Sequence, residues 1–342
     1  MPLHPAPLHA THAPLRALLD ANLRQPPEFR NQLTNHLPMA LHALHCLGAS
    51  PQRMQGFYAS YSQRFQGRPA PTAAALSSPR SVDWRALRGQ ADAYPTLLAY
   101  FNDLVAREGA NGSLRQSIPY LMPGVAAAAF HGAIRTAHAL QAGHDLELAA
   151  ALAYWAWRWQ PLEAPPASDA LLGFDAWVPR LMQESLGWLS SGALISIRMA
   201  EASQSIIFAG LASALAPAEN LAIRIGQLAG MAVDRYVESP NFTVLHMVTG
   251  LRALRTLLPW IDDSMDAQAL LARNFVAAYM AAQVKPLVAP PFAAPRPWEA
   301  VIAAAIVSND DHVVKLVHTC REEAAVYGEG NYLRAATLVA AL

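Results

Sequence analysis

The sequence predicts an all-α fold: a single large multi-helix domain, with two lobes around a central site as a variant of it. Three observations carry this. Apolar residues make up 53% of the 342 and charged residues only 15%, well below the usual quarter, so much of the chain must be buried. Alanine and leucine dominate the apolar set, which favours helices packed on helices. Helical spacing with cap signals recurs along the length, whereas no strand pattern of useful length, fixed-period repeat or low-complexity tract occurs. About ten or more helices are expected.

The elements follow in order. Residues 1–20 read as a disordered or loosely packed lead-in, because Met1 to Pro14 is rich in Pro and His; His4, His9 and His12 there carry no pattern. The helical domain is expected over 21–342. Asn35 to Leu47 places Leu37, Ala40, Leu41, Leu44 and Leu47 on a helical stripe, with Pro38 in the first turn and Gly48 as C-cap. Pro123 opens a helix through Leu140 that ends near Gly143. Asp145 caps a helix through Trp159. Ser239-Pro240 opens a helix through Leu258, and Ser264 opens another to about Gln283. Ser308 or Asn309 caps a helix running to about Tyr327, and a last short helix follows Asn331. Proline-rich breaks at 67–80, 161–168 and 286–297 read as ordered connections rather than linkers.

Charge and cysteine usage narrow the function classes. The formal net charge is zero and no basic cluster occurs, so nucleic-acid binding has no electrostatic support. The longest uncharged run, between Arg115 and Arg135, carries Pro119, Pro123, Gly124 and His131, which does not suit a membrane span of roughly 20 apolar residues. The N-terminus has no basic region followed by an apolar one, so it does not read as a signal peptide. Cys46 and Cys320 are the two cysteines, which fits a reducing compartment. The expectation is a cytoplasmic protein.

Lysine is scarce: Lys285 and Lys315 stand against 23 arginines. Lys315 falls mid-helix, three residues after His312, in an otherwise apolar stretch. Only an amine can lose its proton near neutral pH and act as a nucleophile, form a Schiff base or take up CO2 as a carbamate; a guanidinium cannot. The plain alternative is a lysine snorkelling from a helix. Histidines supply the second signal. His131 follows Ala126-Ala127-Ala128-Ala129-Phe130 and His246 follows Phe242-Thr243-Val244-Leu245. One histidine on such a face is usually a packed residue; several on separate helices of a bundle can point at one interior metal.

Other signatures are absent. The chain has no HExxH, no Glu three residues before a His, no CxxC, no Walker loop, no GxGxxG and no GxSxG. His144-Asp145 has the look of an HD-type phosphohydrolase pair, but it opens a helix beside Gly143, where Asp145 already has a capping role.

Five short motifs stand in order: Asn35-His36-Leu37-Pro38-Met39-Ala40, Phe130-His131-Gly132-Ala133-Ile134-Arg135, Leu245-His246-Met247-Val248-Thr249-Gly250, His312-Val313-Val314-Lys315-Leu316 and Tyr332-Leu333-Arg334-Ala335-Ala336. Together they resemble the questin oxidase-like family, over about His36 to Ala336. That resemblance implies a mostly helical oxidoreductase. From the ring-opening members it implies a mononuclear non-haem Fe(II) site held by His36, His131, His246, His312 and a carboxylated Lys315. The substrates would be O2 and a small aromatic or polyketide-like molecule, oxidised by Baeyer–Villiger-type or ring-cleaving chemistry. The resemblance leaves a need for NADPH or another reductant, and the oligomeric state, open. Arg135, one turn after His131, is a candidate partner of the carbamate or of a phenolate substrate. Tyr58 and Tyr120, with Tyr61 and Tyr94, are candidate bases. Asn35 and Asp311 neighbour proposed ligands and are candidates to orient them. His138 shares a face with His131, and His318 is the substitute ligand should His312 not serve. Trp155, Trp157 and Trp159 are either core or a substrate wall. Two rival functions stay in view: a metal-free enzyme using the Lys315 amine, and a non-catalytic helical protein that binds an apolar ligand.

Overall fold

Helix-forming composition and frequent caps resolve into a bundle whose longest-range contacts define its centre. The computed structural model describes residues 12–30, 32–76, 78–166, 170–285 and 294–341. The first half runs Ala13–Asn22 (α1), a two-residue antiparallel hairpin of Glu28–Phe29 (β1) and Leu33–Thr34 (β2), Leu37–Cys46 (α2), Pro51–Ser62 (α3), Tyr94–Leu121 (α4), His131–Ala142 (α5) and Asp145–Trp157 (α6). Then follow Phe174–Ser185 (α7), Ile195–Ser203 (α8), Ile206–Ala212 (α9), Leu221–Glu238 (α10), Phe242–Leu257 (α11) and Met265–Ala282 (α12). Trp298–Val307 (α13), Asp311–Tyr327 (α14) and Gly330–Val339 (α15) close the chain. The all-α expectation holds, and one continuous hydrophobic core joins the described helices rather than two lobes.

Four helices form the part that matters for chemistry. Contacts close a ring from α2 to α5, α5 to α11, α11 to α14 and α14 back to α2. The imidazoles at the starts of these helices touch one another, so the helices run in the same direction with their N-terminal ends together. Long connections through the other helices make that parallel arrangement possible. Close approach is secured by two glycines. A Cβ on Gly132 would lie 2.5 Å from Trp155 Cγ, and one on Gly250 would lie 2.7 Å from Phe130 Cγ; larger residues would push α5 off α6 and the turn before α5 off α11.

Several boundaries differ from the sequence reading, each for a local reason. The lead-in is shorter than 1–20: α1 starts at Ala13 and buries Leu15 and Leu19, while residues 1–11 lie outside the described residues. The helix expected from Pro123 begins instead at His131, after a 3-10 turn at Met122–Gly124. Between them Ala128, Ala129 and Phe130 have φ of 49°, 57° and 65°, left-handed backbone that costs on the order of 1–2 kcal/mol per residue. The cap of α11 is Asn241, whose Oδ1 accepts from the Thr243 and Val244 amides, rather than Ser239. The cap of α14 is Asp310, which accepts from the His312 amide at 2.8 Å, rather than Ser308 or Asn309. Ser264 caps α12 as expected. The 28-residue α4 was not legible, because Gly109 breaks its helical backbone and Pro119 lies inside it. The proline-rich breaks at 67–80 and 161–168 carry no α-helix among their described residues, and 286–293 lie outside them. No helix among the described residues is long and apolar enough to cross a membrane.

Candidate metal centre

His36 is the N-cap of α2, His131 the first residue of α5, His246 the fifth of α11 and His312 the second of α14. Their rings meet. Centroids are 4.5 Å apart for His36 and His131, 4.8 Å for His131 and His246, 4.9 Å for His36 and His312, and 5.6 Å for His246 and His312. Ligand atoms of His36, His246 and His312 all lie within 4.8 Å of one another. The Nε2 atom of each of the four rings is buried and has no hydrogen-bond partner. Four such atoms would each forfeit a hydrogen bond, on the order of 1–3 kcal/mol apiece, unless something else occupies their lone pairs.

The opposite ring nitrogens are all held. His36 Nδ1 meets Asp311 Oδ2 at 2.5 Å, and His246 Nδ1 meets the Phe242 carbonyl at 2.7 Å. His131 Nδ1 meets the Ala128 carbonyl, and His312 Nδ1 meets Asp310 Oδ1 at 3.2 Å and Asp311 Oδ2 at 3.4 Å. With an acceptor on every Nδ1, the proton sits there and each Nε2 keeps its lone pair. Metal-binding histidines are oriented in this way. The left-handed turn at Ala128–Phe130 thus has a role: it carries the Ala128 carbonyl back onto the His131 ring.

Electrostatics support neutral rings. Burial, then the Lys315 charge, lowers His36 to about 3, against the opposing pull of Asp311. Burial followed by neighbouring rings holds His131 and His246 well below the usual histidine value. Lys315 is 3% exposed on its side chain, and its Nζ is 3.3 Å from Asp311 Oδ2. Burial lowers its pKa while Asp311 opposes that. Asp311 is the hub: it touches His36, His312, Lys315 and, at 3.4 Å, Arg64 Nη1. Burial would raise its pKa, but His36, Lys315 and His312 outweigh that and hold it well below the carboxylate range. Three of the four histidines also sit at helix N-termini, whose positive dipole ends disfavour protonating them.

A cavity of about 750 Å³ opens on this cluster, within the usual range for a small-molecule site. His36, His131, His246 and His312 line it, along with Phe29, Trp157, Trp159 and Phe242. Arg30, Arg64, Arg158 and Arg198 add positive charge. Arg158 is neutralised by Glu28, whereas the buried Nε of Arg198 has no partner.

The other sequence candidates separate. Arg135 does not reach the cavity: it is 3% exposed and forms a two-pronged ion pair with Glu147 at 2.6 and 3.0 Å, tying α5 to α6. One turn after His131 it points across the helix, not along it. Tyr58 bonds Gln25, and Tyr120 is 40% exposed against Arg85; neither lines the cavity. Tyr94 is buried against Trp157. Tyr61 is the tyrosine that lines it, and its hydroxyl accepts from the His36 amide at 3.1 Å. Asn35 orients no imidazole; it bonds Asn22 and the Pro26 carbonyl and caps the Leu37 amide. Trp155 is core, while Trp157 and Trp159 are wall. His144 is the actual cap of α6, accepting from the Glu147 amide at 3.1 Å and meeting Asp20 at 3.0 Å, which leaves its ring no lone pair for an ion. His138 and His318 turn away from the cavity into a second cluster with His42. Phe242, one turn before His246, was the overlooked wall residue that helical spacing could have found.

A family model described as questin oxidase-like matches residues 33–172 and 203–320, most of the chain and all four histidines with Lys315. The chain belongs to this family. It is therefore an oxidoreductase acting on a small substrate. No curated protein matches the sequence.

Proposed function

We propose that this questin oxidase-like protein is a mononuclear non-haem iron oxygenase that uses O2 to oxidise or open an aromatic, quinone-type ring. The observation that carries the metal is the set of four buried Nε2 atoms without partners, each on a ring whose Nδ1 is held by a carbonyl or carboxylate. His36, His131, His246 and His312 would hold the ion, with Lys315 as a carbamate supplying an anionic oxygen. Bound iron supplies Lewis acidity and one-electron chemistry toward O2. The buried, part-depressed Lys315 amine is the form that adds CO2. Its carbamate keeps one N–H, which Asp311 Oδ2 can accept, and its charge offsets the ion's.

The chain's own residues then prepare the substrate. Phe29, Trp157, Trp159 and Phe242 offer flat faces to an aromatic ring. Arg198 and Arg30 stabilise a phenolate or an enolate oxygen, so ionisation needs no strong base nearby. Tyr61 does not serve as that base, since burial raises its pKa far above the ordinary phenol value; it stays protonated. The rival use of Lys315 as a free amine has less support, because Lys315 is not among the cavity-lining residues and a substrate carbonyl has no open path to it.

The test is metal content of protein purified without chelator or nickel resin, wild type beside Lys315→Arg. About one equivalent of iron in the wild type, lost in the variant, is the expected result. Absence of any transition metal at the first cluster in the wild type overturns the reading.

A further inference from the structure

Six or seven residues beyond the first cluster, on the same helices, a second set of metal-ligating side chains comes together. His42 follows His36 on α2, His138 follows His131 on α5, and His318 follows His312 on α14. That spacing is about 9–10 Å along an α-helix, so the second layer lies directly below the first. The three rings are mutual neighbours: His42 and His138 centroids are 5.1 Å apart, His138 and His318 5.4 Å, and His42 and His318 5.6 Å. Cys46 joins them, four residues after His42 on the same face of α2. None of these four residues belongs to the first cluster or lines the substrate cavity.

We propose that this second layer is a separate site for a zinc-class divalent ion, with His42, Cys46 and His318 as ligands and His138 holding the His42 ring. Ligand atoms of His42, Cys46 and His318 lie within 4.8 Å of one another. Cys46 Sγ is 3.4 Å from His42 Nε2. Tetrahedral zinc with Zn–S near 2.3 Å and Zn–N near 2.0–2.1 Å sets its sulfur and nitrogen ligands about 3.5–3.6 Å apart, so the pair already stands at ligand spacing. His318 is the independent sign of a missing occupant: it is 2% exposed, and neither of its ring nitrogens has a hydrogen-bond partner, Glu322 Oε1 standing 3.5 Å from Nε2. His138 Nδ1 lies 2.8 Å from His42 Nδ1. With that proton carried on His42 Nδ1 and accepted by His138 Nδ1, His42 Nε2 keeps its lone pair on the side where Cys46 lies. Fixing the far nitrogen of a ligand ring is what neighbours of a metal site do.

The donor set chooses the ion. A thiolate with two imidazoles is softer than the four-histidine cluster above and suits zinc over iron. On the fourth helix the residue six beyond His246 is Arg252, whose charge is met by Glu322 at 2.5 Å. It contributes no ligand, so a three-ligand site with one further position results. Binding replaces the Cys46 thiol proton, releasing one proton as the sulfur–metal bond forms. Cys46 is exposed, which gives the ion an entry route. Filled, the site would clamp α2 to α14 beneath the first cluster. It does not depend on iron above it.

Cobalt(II) titration tests this, because thiolate ligation gives a near-ultraviolet charge-transfer band that imidazole ligation does not. The protein would carry His246→Ala to disable the first cluster, with wild type run in parallel should that variant fold poorly. One equivalent of cobalt with the band, and both the band and the affinity reduced 100-fold or more by Cys46→Ser and by His318→Gln, is expected. In wild-type protein, zinc should also slow alkylation of Cys46 at least tenfold, Cys320 being buried. Cobalt binding without the band, affinity indifferent to Cys46→Ser, or alkylation unaffected by zinc would each overturn the second site.

Discussion

The two histidine layers share three helices yet differ in what stands behind each ring. In the upper layer every Nδ1 faces an oxygen, from Asp310, Asp311, Ala128 or Phe242, and every Nε2 faces inward. In the lower layer His138 Nδ1 takes the oxygen's place behind His42, and a cysteine faces the His42 Nε2. The fourth helix makes the sharpest contrast: α11 gives His246 above and Arg252 below, the latter paired with Glu322. The upper layer also opens on the cavity, whereas the lower one lies away from its lining residues. One residue type repeated at helical spacing thus yields two different clusters. The residues behind the rings set their tautomers, and the fourth helix sets the charge.

Making the upper layer resemble the lower one should have the largest effect. His246→Arg places a guanidinium where an imidazole stood, and the metal retained by the upper cluster after desalting should fall to background while the fold, followed by circular dichroism, persists. Retention of a full equivalent would break the comparison. A smaller effect is expected from Asp311→Asn, which keeps the shape but weakens the hold on His36, His312 and Lys315 at once. Affinity of the upper site, measured by competition with a chelator, should drop about 10–100-fold. An unchanged affinity would mean that Asp311 serves only its helix.

Acid offers the gentlest comparison, since it acts on both layers. His36 is lowered to about 3 and His318 to about 4, with burial the leading cause in each, and His42, His131, His138 and His246 lie well below the usual 6.5. Below pH 6.5 the unfolded chain therefore takes up protons before the folded one does. Stability of metal-free protein should fall as pH drops from 6.5 toward 4 and level off beneath the folded values. The midpoint of urea unfolding across that range checks this; a midpoint constant down to pH 4 would mean that the rings are not held neutral.

Much of the upper cluster was legible because its histidines fall in short motifs and in otherwise apolar helices. The rings of His36, His131, His246 and His312 meet, and Lys315 stands behind them against Asp311. Arg135, Tyr58 and Tyr120 do not join them, because proximity along a helix does not say which side a residue faces. The Glu147 carboxylate that captures Arg135 is 12 residues away on another helix. Boundaries were least legible where glycine or proline interrupts a helix, as in α4, and where a left-handed turn replaces an expected one, as before His131.

Alanine, leucine and periodicity alone determined that this chain is helical and deeply buried, since those preferences are local. The scarcity of lysine singled out Lys315, and the order of the motifs pointed to the family. Only the tertiary structure decided that α2, α5, α11 and α14 stand parallel with their N-terminal ends together. That arrangement depends on long crossovers that no local pattern encodes. It brings four imidazoles into one cluster, puts Asp311 behind two of them, and stacks His42, His138 and His318 beneath, because residues six or seven apart on parallel helices must recur at a common depth.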